Sequence, residues 1–235
     1  MDVSVIIPCF NEPLWEQAIR SIEIQKGINA EAIVVDGSAT PDFFSKWDFK
    51  IPVTFIHEQD AGVYDAMNKG IALARGKWIL ILGANDQLAT DSCLSQLPLD
   101  LDVDLILGEI ENLNKGHMLT PSIHCSVWSK LIYWKHTLHQ QGVLYNRKCF
   151  LKNQFQIEYK ILGDYAFHLQ LRTQNLNAHH TDVMLSKCDG NGLSKQFNRG
   201  LYAEELRLKK QYLPVLFYWI QIPWVVLKFL LKKTI

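Results

Sequence analysis

Val3 to Pro8, Ala32 to Val35, Val53 to Ile56 and Trp78 to Leu82 are near-continuous apolar runs of strand length. Runs without polar alternation belong to strands buried on both faces. Between them the period changes. Leu14, Ala18, Ile19 and Ile22 recur at helical spacing, and Gly27 is placed to end that helix. Thr40-Pro41 reads as the N-cap and first-turn proline of a short helix. A further helix starts near Val63, with Gly76 as its stop. Strands alternating with helices predict an α/β fold with a mainly parallel sheet flanked by helices.

Beyond residue 100 the pattern thins. Leu105 to Leu107 and Val143 to Tyr145 are weaker strand candidates, and Glu111 to His136 shows no clear period. Asp164 to Arg172 reads as a helix with an acid in its first turn and with Leu162, Tyr165, Leu169 and Arg172 on one side. Gly190-Asn191-Gly192 is a turn, and a helix from about Gln196 to Gln211 leads into the final segment. The pattern divides the chain into one domain over 1–198, with halves 1–110 and 111–198, and a tail over 199–235.

The strand ends carry the candidate chemistry. Pro8-Cys9-Phe10-Asn11-Glu12, Asp36-Gly37-Ser38 and Gly83-Ala84-Asn85-Asp86 each follow an apolar run. Open α/β sheets bind ligands beyond the carboxyl ends of their strands, and an exposed acid there suits a metal–phosphate site better than a core. Local turn chemistry accounts for the same residues: Asp36 suits an Asx-turn and Asn85-Asp86 a tight turn. Glu12 and Asp164 also suit the positive end of a helix dipole.

Asp60-x-Gly62-x-x-x-Ala66-x-Asn68-x-Gly70, then Ala74-Arg75-Gly76, then an apolar strand ending in a short acidic motif, resembles glycosyltransferase family 2. Val3 to Glu12 and Ile33 to Thr40 are similar to that family's nucleotide-binding segments, and Leu138 to Leu171 matches it more loosely. The resemblance implies a GT-A-like single domain: a nucleotide-sugar half over 1–110, an acceptor half over 111–198, and a helical tail. It implies an inverting transfer from a nucleotide sugar, a UDP-sugar by expectation, to a saccharide acceptor. A lipid-linked acceptor and bacterial surface polysaccharide assembly, of the colanic acid, O-antigen or capsule type, are the natural setting by analogy.

By the same resemblance Asp86 would hold Mg²⁺ or Mn²⁺ against the diphosphate, with Asn85 near the ribose or a metal-bound water. The family shows Asp-x-Asp or Asp-Asp here, and this chain keeps only the last acid. Asp36 would accept from a base N–H, with Pro8, Phe10 and Glu12 lining the same pocket. Small Ala66 and Gly70 would bring their helix close to the sheet and turn Asn68 and Lys69 toward the donor, Lys69 as a phosphate counter-charge. Asp164 would be the general base, in a position where the family usually has Glu-Asp and this chain has Gly163-Asp164. His139 and Gln140, followed by Gln141, would shape the acceptor side.

Composition narrows the partners. Hydrophobic residues are 48% and charged residues 20% of the 235, with acids and bases equal, so no charge excess points to nucleic acid. The five cysteines form no C-x-x-C pair and read as reduced thiols of a cytosolic protein. Met1-Asp2 runs directly into a core strand, with no signal-peptide pattern. His179-His180 alone is a weak zinc signal. The charge is uneven: residues 199–235 hold seven basic residues and two acids around an uncharged, Trp- and Tyr-bearing span of 17 residues, Gln211 to Leu227. That span is short for a crossing helix, and Pro214, Gln221 and Pro223 interrupt it; it resembles an in-plane anchor on the inner face of the cytoplasmic membrane. Packing on the domain, or a dimer contact, is the other reading of the tail. Two rival functions remain. A nucleotidyltransferase making nucleotide sugars would want a Gly-rich loop after the first strand, which Pro8 to Glu12 is not. A catalytically inactive sugar- or membrane-binding module is permitted by the thinned acidic motif.

Overall fold

The computed structural model describes residues 1–12, 14–39, 48–113, 122–189 and 198–232. The Thr40-Pro41 helix start and the turn at Gly190 to Gly192 lie outside these residues. The first half alternates as its pattern predicts: β1 (Val3–Cys9), α1 (Trp15–Glu23), β2 (Ala30–Asp36), β3 (Val53–His57), α2 (Val63–Leu73) and β4 (Trp78–Ile81). The second half adds β5 (Gln87–Leu88), β6 (Leu105–Asn112), β7 (Ile123–Cys125), β8 (Val143–Asn146), α3 (Gly163–Arg172) and β9 (Ala178–Cys188). Two helices, α4 (Arg199–Tyr212) and α5 (Val215–Lys232), follow.

Among the described residues the strands form one sheet in the order β3-β2-β1-β4-β8-β6-β9-β5, with β7 on the β6 side. Only β3-β2-β1-β4 is a parallel block. β8 runs antiparallel to both β4 and β6, and β5 antiparallel to β9, while β6 and β9 are parallel. The sheet is therefore mixed, which corrects the mainly parallel expectation. Parallel neighbours need a long crossover. α1 and α2 provide crossovers in the first half; beyond β4 only α3 separates two strands, so the chain reverses instead.

Alternate residues of β1 feed two cores. Ile6, Ile33 and Val35 pack under α2 and α3, while Val3, Val5, Ile7 and Val34 pack on Trp15, Ile19 and Ile22 of α1. Gly70 lets α2 approach the sheet, since a Cβ there would meet Ile6 at 2.5 Å and Val35 at 3.2 Å. α2 ends at Leu73, three residues before the expected stop. Gly76 serves closeness instead: its N–H donates to Ser4 Oγ at 2.8 Å, and a Cβ would strike the Ser4 backbone. Buried Glu31 ties this corner, accepting from Ser4 Oγ at 2.6 Å and from Arg75 Nε at 2.8 Å.

α3 is buried nearly all round, not on one side as its pattern suggests: Tyr165, Ala166, Phe167, His168, Leu169 and Leu171 are all covered. Phe167 stacks against Phe155 at 4.4 Å and Phe150 at 5.1 Å between ring centres. A helix hydrophobic on every face belongs at the centre of a core.

α4 and α5 pack on this body, and Leu201, Tyr202, Leu208 and Val225 join its core. α5 turns polar residues inward. Gln221 is 0% exposed and donates to the Tyr133 carbonyl at 3.1 Å, and it also accepts from Lys209 Nζ. Lys209 donates further to the Trp134 carbonyl at 2.8 Å and to Glu205 at 3.0 Å. Lys228 also donates to Glu205. The helix continues through Pro223. Apart from Val225 and Phe229, which face the core, many of its apolar residues face outward: Val215, Leu216, Phe217, Trp219 (64% exposed), Ile220 and Trp224. Among the described residues no helix is long and apolar enough to cross a membrane.

Candidate active site

The carboxyl ends of β1, β2 and β4 converge on one edge, because the three strands are parallel neighbours. Asp36 closes β2 opposite Cys9 of β1. It is buried, and its Oδ1 accepts from the Ser38 N–H at 3.0 Å and from Ser38 Oγ, which makes the Asx-turn. Its Oδ2 lies 3.1 Å from His57 Nδ1 at the end of β3. Ser38 Oγ in turn accepts the Asn11 N–H at 2.6 Å, fastening the β1 loop, where Asn11 has a φ of 54°. That loop leaves Phe10 62% exposed at the edge, next to Cys9, whose thiol burial pushes up to about 12. Pro8 is the penultimate residue of β1.

Asp60 was not singled out as a site residue, yet it belongs here. A Cβ on Gly37 would overlap its carboxylate, and Asp60 Oδ1 accepts the Gly62 N–H at 2.8 Å. The signal was present in the Asp36-Gly37 pair, whose glycine admits the Asp60 carboxylate, and in the Asp60-x-Gly62 spacing, whose acid accepts the glycine N–H.

Asp86 follows β4 and is buried. Its Oδ1 accepts the Asp189 N–H at 3.0 Å; its Oδ2 accepts from Gln141 Nε2 at 2.9 Å and from the Gly83 N–H at 3.2 Å. Burial raises its carboxyl above the usual range, against the pull of these donors. Asn85 donates to Glu12 Oε2 at 3.0 Å, joining the β1 loop to the β4 loop. Asn85 Oδ1 is buried and has no hydrogen-bond partner among the described residues.

Among the described residues no group of three His, Cys, Asp or Glu side chains is arranged to hold a metal. The donors present suit a shared site. A Mg²⁺ or Mn²⁺ bound with a diphosphate takes one or two protein oxygens and completes its shell with phosphate and water. Asp86 retains one of about four carboxylate lone-pair positions, and Asn85 Oδ1 is a hard oxygen with none used. These two residues would hold the ion.

Asp164 lies in the first turn of α3. Its Oδ1 accepts from the Tyr165 N–H at 2.8 Å; Tyr64 Oη lies 3.3 Å from it and donates to the Ile161 carbonyl at 2.8 Å. Tyr64 follows Gly62 and so links this acid to the Asp60 loop. Gly163 has a steric reason: a Cβ there would sit 2.6 Å from the Tyr64 ring. The tyrosine occupies the room that a first acid of a Glu-Asp pair would need. Oδ2 of Asp164 takes no hydrogen bond among the described residues and lies 3.9 Å from His136 Nδ1.

Other expected residues have different tasks. Asn68 makes a two-point bond with the Phe155 backbone, donating at 2.8 Å and accepting at 2.9 Å, so it pins the 155 loop instead of facing a donor. Lys69 is engaged by Glu58 at 2.9 Å, Asp65 at 3.4 Å and the Gln59 carbonyl at 2.9 Å; Glu58 foremost raises its pKa. In this structure Asn68 is thus tied to the 155 loop and Lys69 to neighbouring acids. Gln140 is buried and reaches Met67 Sδ, whereas its neighbour Gln141 is the amide that reaches Asp86. His139 stacks edge-on against His124 of β7, with 5.5 Å between ring centres.

The chain resembles known proteins in sequence and in fold. The sequence pattern of Glycosyl transferase family 2 matches residues 4–180. The PGL/p-HBAD biosynthesis glycosyltransferase of Mycobacterium bovis (strain BCG / Pasteur 1173P2) is 30% identical over 182 residues, 71% of this chain and 68% of that protein. An uncharacterized glycosyltransferase of Rickettsia conorii is 29% identical over 139 residues, 56% of this chain and 23% of that one. In fold, the chain is similar to S. aureus TarS 1-349 in complex with UDP-GlcNAc, with a TM-score of 0.69 and 20% identity, covering 89% of this chain and 65% of that one. It is also similar to the mannosyltransferase PcManGT from Pyrobaculum calidifontis in complex with GDP-Man and Mn²⁺, with a TM-score of 0.59 and 16% identity, covering 87% of this chain and 64% of that one. The chain thus spans a little under two thirds of either structural neighbour.

Proposed function

The chain belongs to glycosyl transferase family 2, and from that premise we propose that it transfers a sugar from a UDP-sugar to a saccharide acceptor with inversion. The observation that carries this reading is the gathering of Asp36, Asp60 and Asp86 at one sheet edge, joined through Gly62 and Tyr64 to Asp164. Asp36 and the exposed Phe10 would receive the base. Asp86 and Asn85 would hold a divalent cation, whose chemistry is to offset charge developing on the leaving diphosphate. Asp164 keeps Oδ2 open, the oxygen a general base needs for an acceptor hydroxyl. Burial of α3 behind it fixes its position.

The acceptor in this reading is lipid-linked, a saccharide or glycolipid of a bacterial cell surface, met at the cytoplasmic face of the cytoplasmic membrane. The inverted polarity of α5 supports it. With Gln221 and Lys228 turned to the body, Leu216, Trp219, Ile220 and Trp224 form an outward apolar strip that water alone does not favour. Lys209 and Lys228 serve packing, so binding there would rest more on area than on charge.

Thermal unfolding with a panel of nucleotide sugars and Mn²⁺ tests the donor. A ligand at 100 times its Kd should add about 2.7 kcal/mol of stability. UDP-sugars should raise the midpoint and release UDP with acceptor; no response to any nucleotide sugar contradicts the reading. Vesicle sedimentation of the full chain tests the surface. Trp219→Ser with Trp224→Ser should abolish binding while donor affinity stays.

A further inference from the structure

Behind Asp164 lies a chain of buried polar groups that the transfer reaction does not call on. His136 Nε2 is 3.0 Å from His168 Nδ1, and His168 Nε2 is 2.6 Å from Tyr145 Oη. Tyr145 and His168 are both 0% exposed. His136 also stacks on the Tyr165 ring, 4.8 Å between centres. The direction of these bonds is fixed. The Tyr145 hydroxyl has one hydrogen-bond partner among the described residues, the His168 nitrogen. A buried hydroxyl must place its proton on an acceptor, so Tyr145 donates. His168 Nε2 is then bare, its proton sits on Nδ1, and it donates to His136 Nε2. A neutral His136 must carry its own proton on Nδ1, which faces Asp164 Oδ2 at 3.9 Å. Had the chain run the other way, Tyr145 would waste its proton and a bare nitrogen would face a carboxylate. Burial supports the neutral forms: it drives both imidazoles below their ordinary 6.5, His168 far below, and raises the phenol.

We infer that His136 is a positioning residue for Asp164, locked by the Tyr145–His168 pair in the tautomer that presents Nδ1–H to the catalytic carboxylate. Asp164 is then held by the Tyr165 N–H on Oδ1, with the His136 Nδ1–H facing Oδ2 at 3.9 Å. Oδ2, which takes no hydrogen bond among the described residues, is thereby kept from swinging about the side-chain axis. The inference rests on Asp164 being the base, but its first test does not need activity.

Histidine-selective ¹⁵N spectra of the full chain read the tautomers, with His136→Asn used to assign the signal. At neutral pH His136 and His168 should both be Nδ1–H. An Nε2–H form or an imidazolium at His136 overturns the inference. In kinetics, His136→Phe keeps the stack on Tyr165 but loses the donor. It should lower kcat about threefold, the worth of a partly exposed contact to a charge at 3.9 Å, with donor KM unchanged. His136→Asn, whose amide N–H can reach the same place, should recover most of kcat. Equal loss in both variants, or a loss confined to donor KM, also overturns it. Should the phenylalanine variant not fold, Tyr145→Phe frees the direction of the chain and should shift part of His136 to the Nε2–H form; an unchanged tautomer counts against the lock. Full activity of Asp164→Asn would remove the base assignment while leaving the tautomer result standing.

Discussion

Asp86 and Asp164 approach the same edge from the two halves of the sheet, and the protein holds them by different means. Asp86 follows a parallel strand and is gripped by the Gly83 N–H of its own loop and by the Gln141 amide and the Asp189 N–H of the second half. Asp164 starts a helix buried nearly all round; its Oδ1 takes the Tyr165 N–H, and the side chains of Tyr64 from α2 and His136 from the segment before β8 stand beside it. The place of Asp86 at that edge is a property of topology, because carboxyl ends of parallel neighbours must coincide. The place of Asp164 is a property of packing, and so depends on particular side chains such as Tyr64 and His136. Substitutions near Asp86 should therefore act on ligand binding, and those near Asp164 on rate and on stability.

The largest effect to test this contrast is Asp86→Ala. It should abolish transfer and remove any metal-dependent tightening of UDP, measured by calorimetry with and without Mn²⁺. A folded variant with near-normal turnover would break the comparison on its first side.

Next is Gly163→Glu, which restores the acid this chain lacks. The Tyr64 ring stands where its Cβ must go, and overpacking of this kind costs about 1–3 kcal/mol. Denaturant unfolding should show that loss. Adding Tyr64→Ala should leave room and recover part of it; an undiminished loss in the double variant would mean that Tyr64 is not the obstacle.

Acid should weaken the packed half at a milder pH than the other. His124, His136 and His168 are each held below 6.5 by burial. The unfolded chain takes up protons below about pH 6.5 that the folded chain refuses, so stability is full above that pH and declines as pH falls through it. The thermal midpoint should drop between pH 7 and 5.5, and the slope should flatten in His168→Leu, whatever that variant's stability at pH 7.

Smallest is Lys69→Ala. Its charge is engaged by Glu58 and Asp65 at the surface, and such pairs are worth about 0–1 kcal/mol. UDP affinity should change by less than about twofold, within that range; a large loss would return Lys69 to the phosphates.

The same contrast explains what the sequence disclosed. β1 to β4 were legible because buried parallel strands read as unbroken apolar runs, and their ends located Asp36 and Asp86. β9 was not, because its opening residues Ala178-His179-His180-Thr181-Asp182 are only partly covered and carry no apolar alternation. Ala66 and Gly70 were read correctly as the face of α2 that meets the sheet. At 3.6 residues per turn, however, Asn68 points about 200° from Ala66, toward the 155 loop, so the same small pair that brings the helix in turns Asn68 away. His136 and His168 gave no signal. They are 32 residues apart, and only the burial of α3 brings them together.

The most direct test of the account is a paired measurement on Asp164→Asn: UDP affinity by calorimetry and single-turnover transfer to acceptor. A positioned base is worth about 10²–10⁴ in rate. The account predicts a loss of that size with UDP affinity unchanged. Weakened UDP binding with a preserved rate would contradict it and move Asp164 from the chemistry to the binding of the donor.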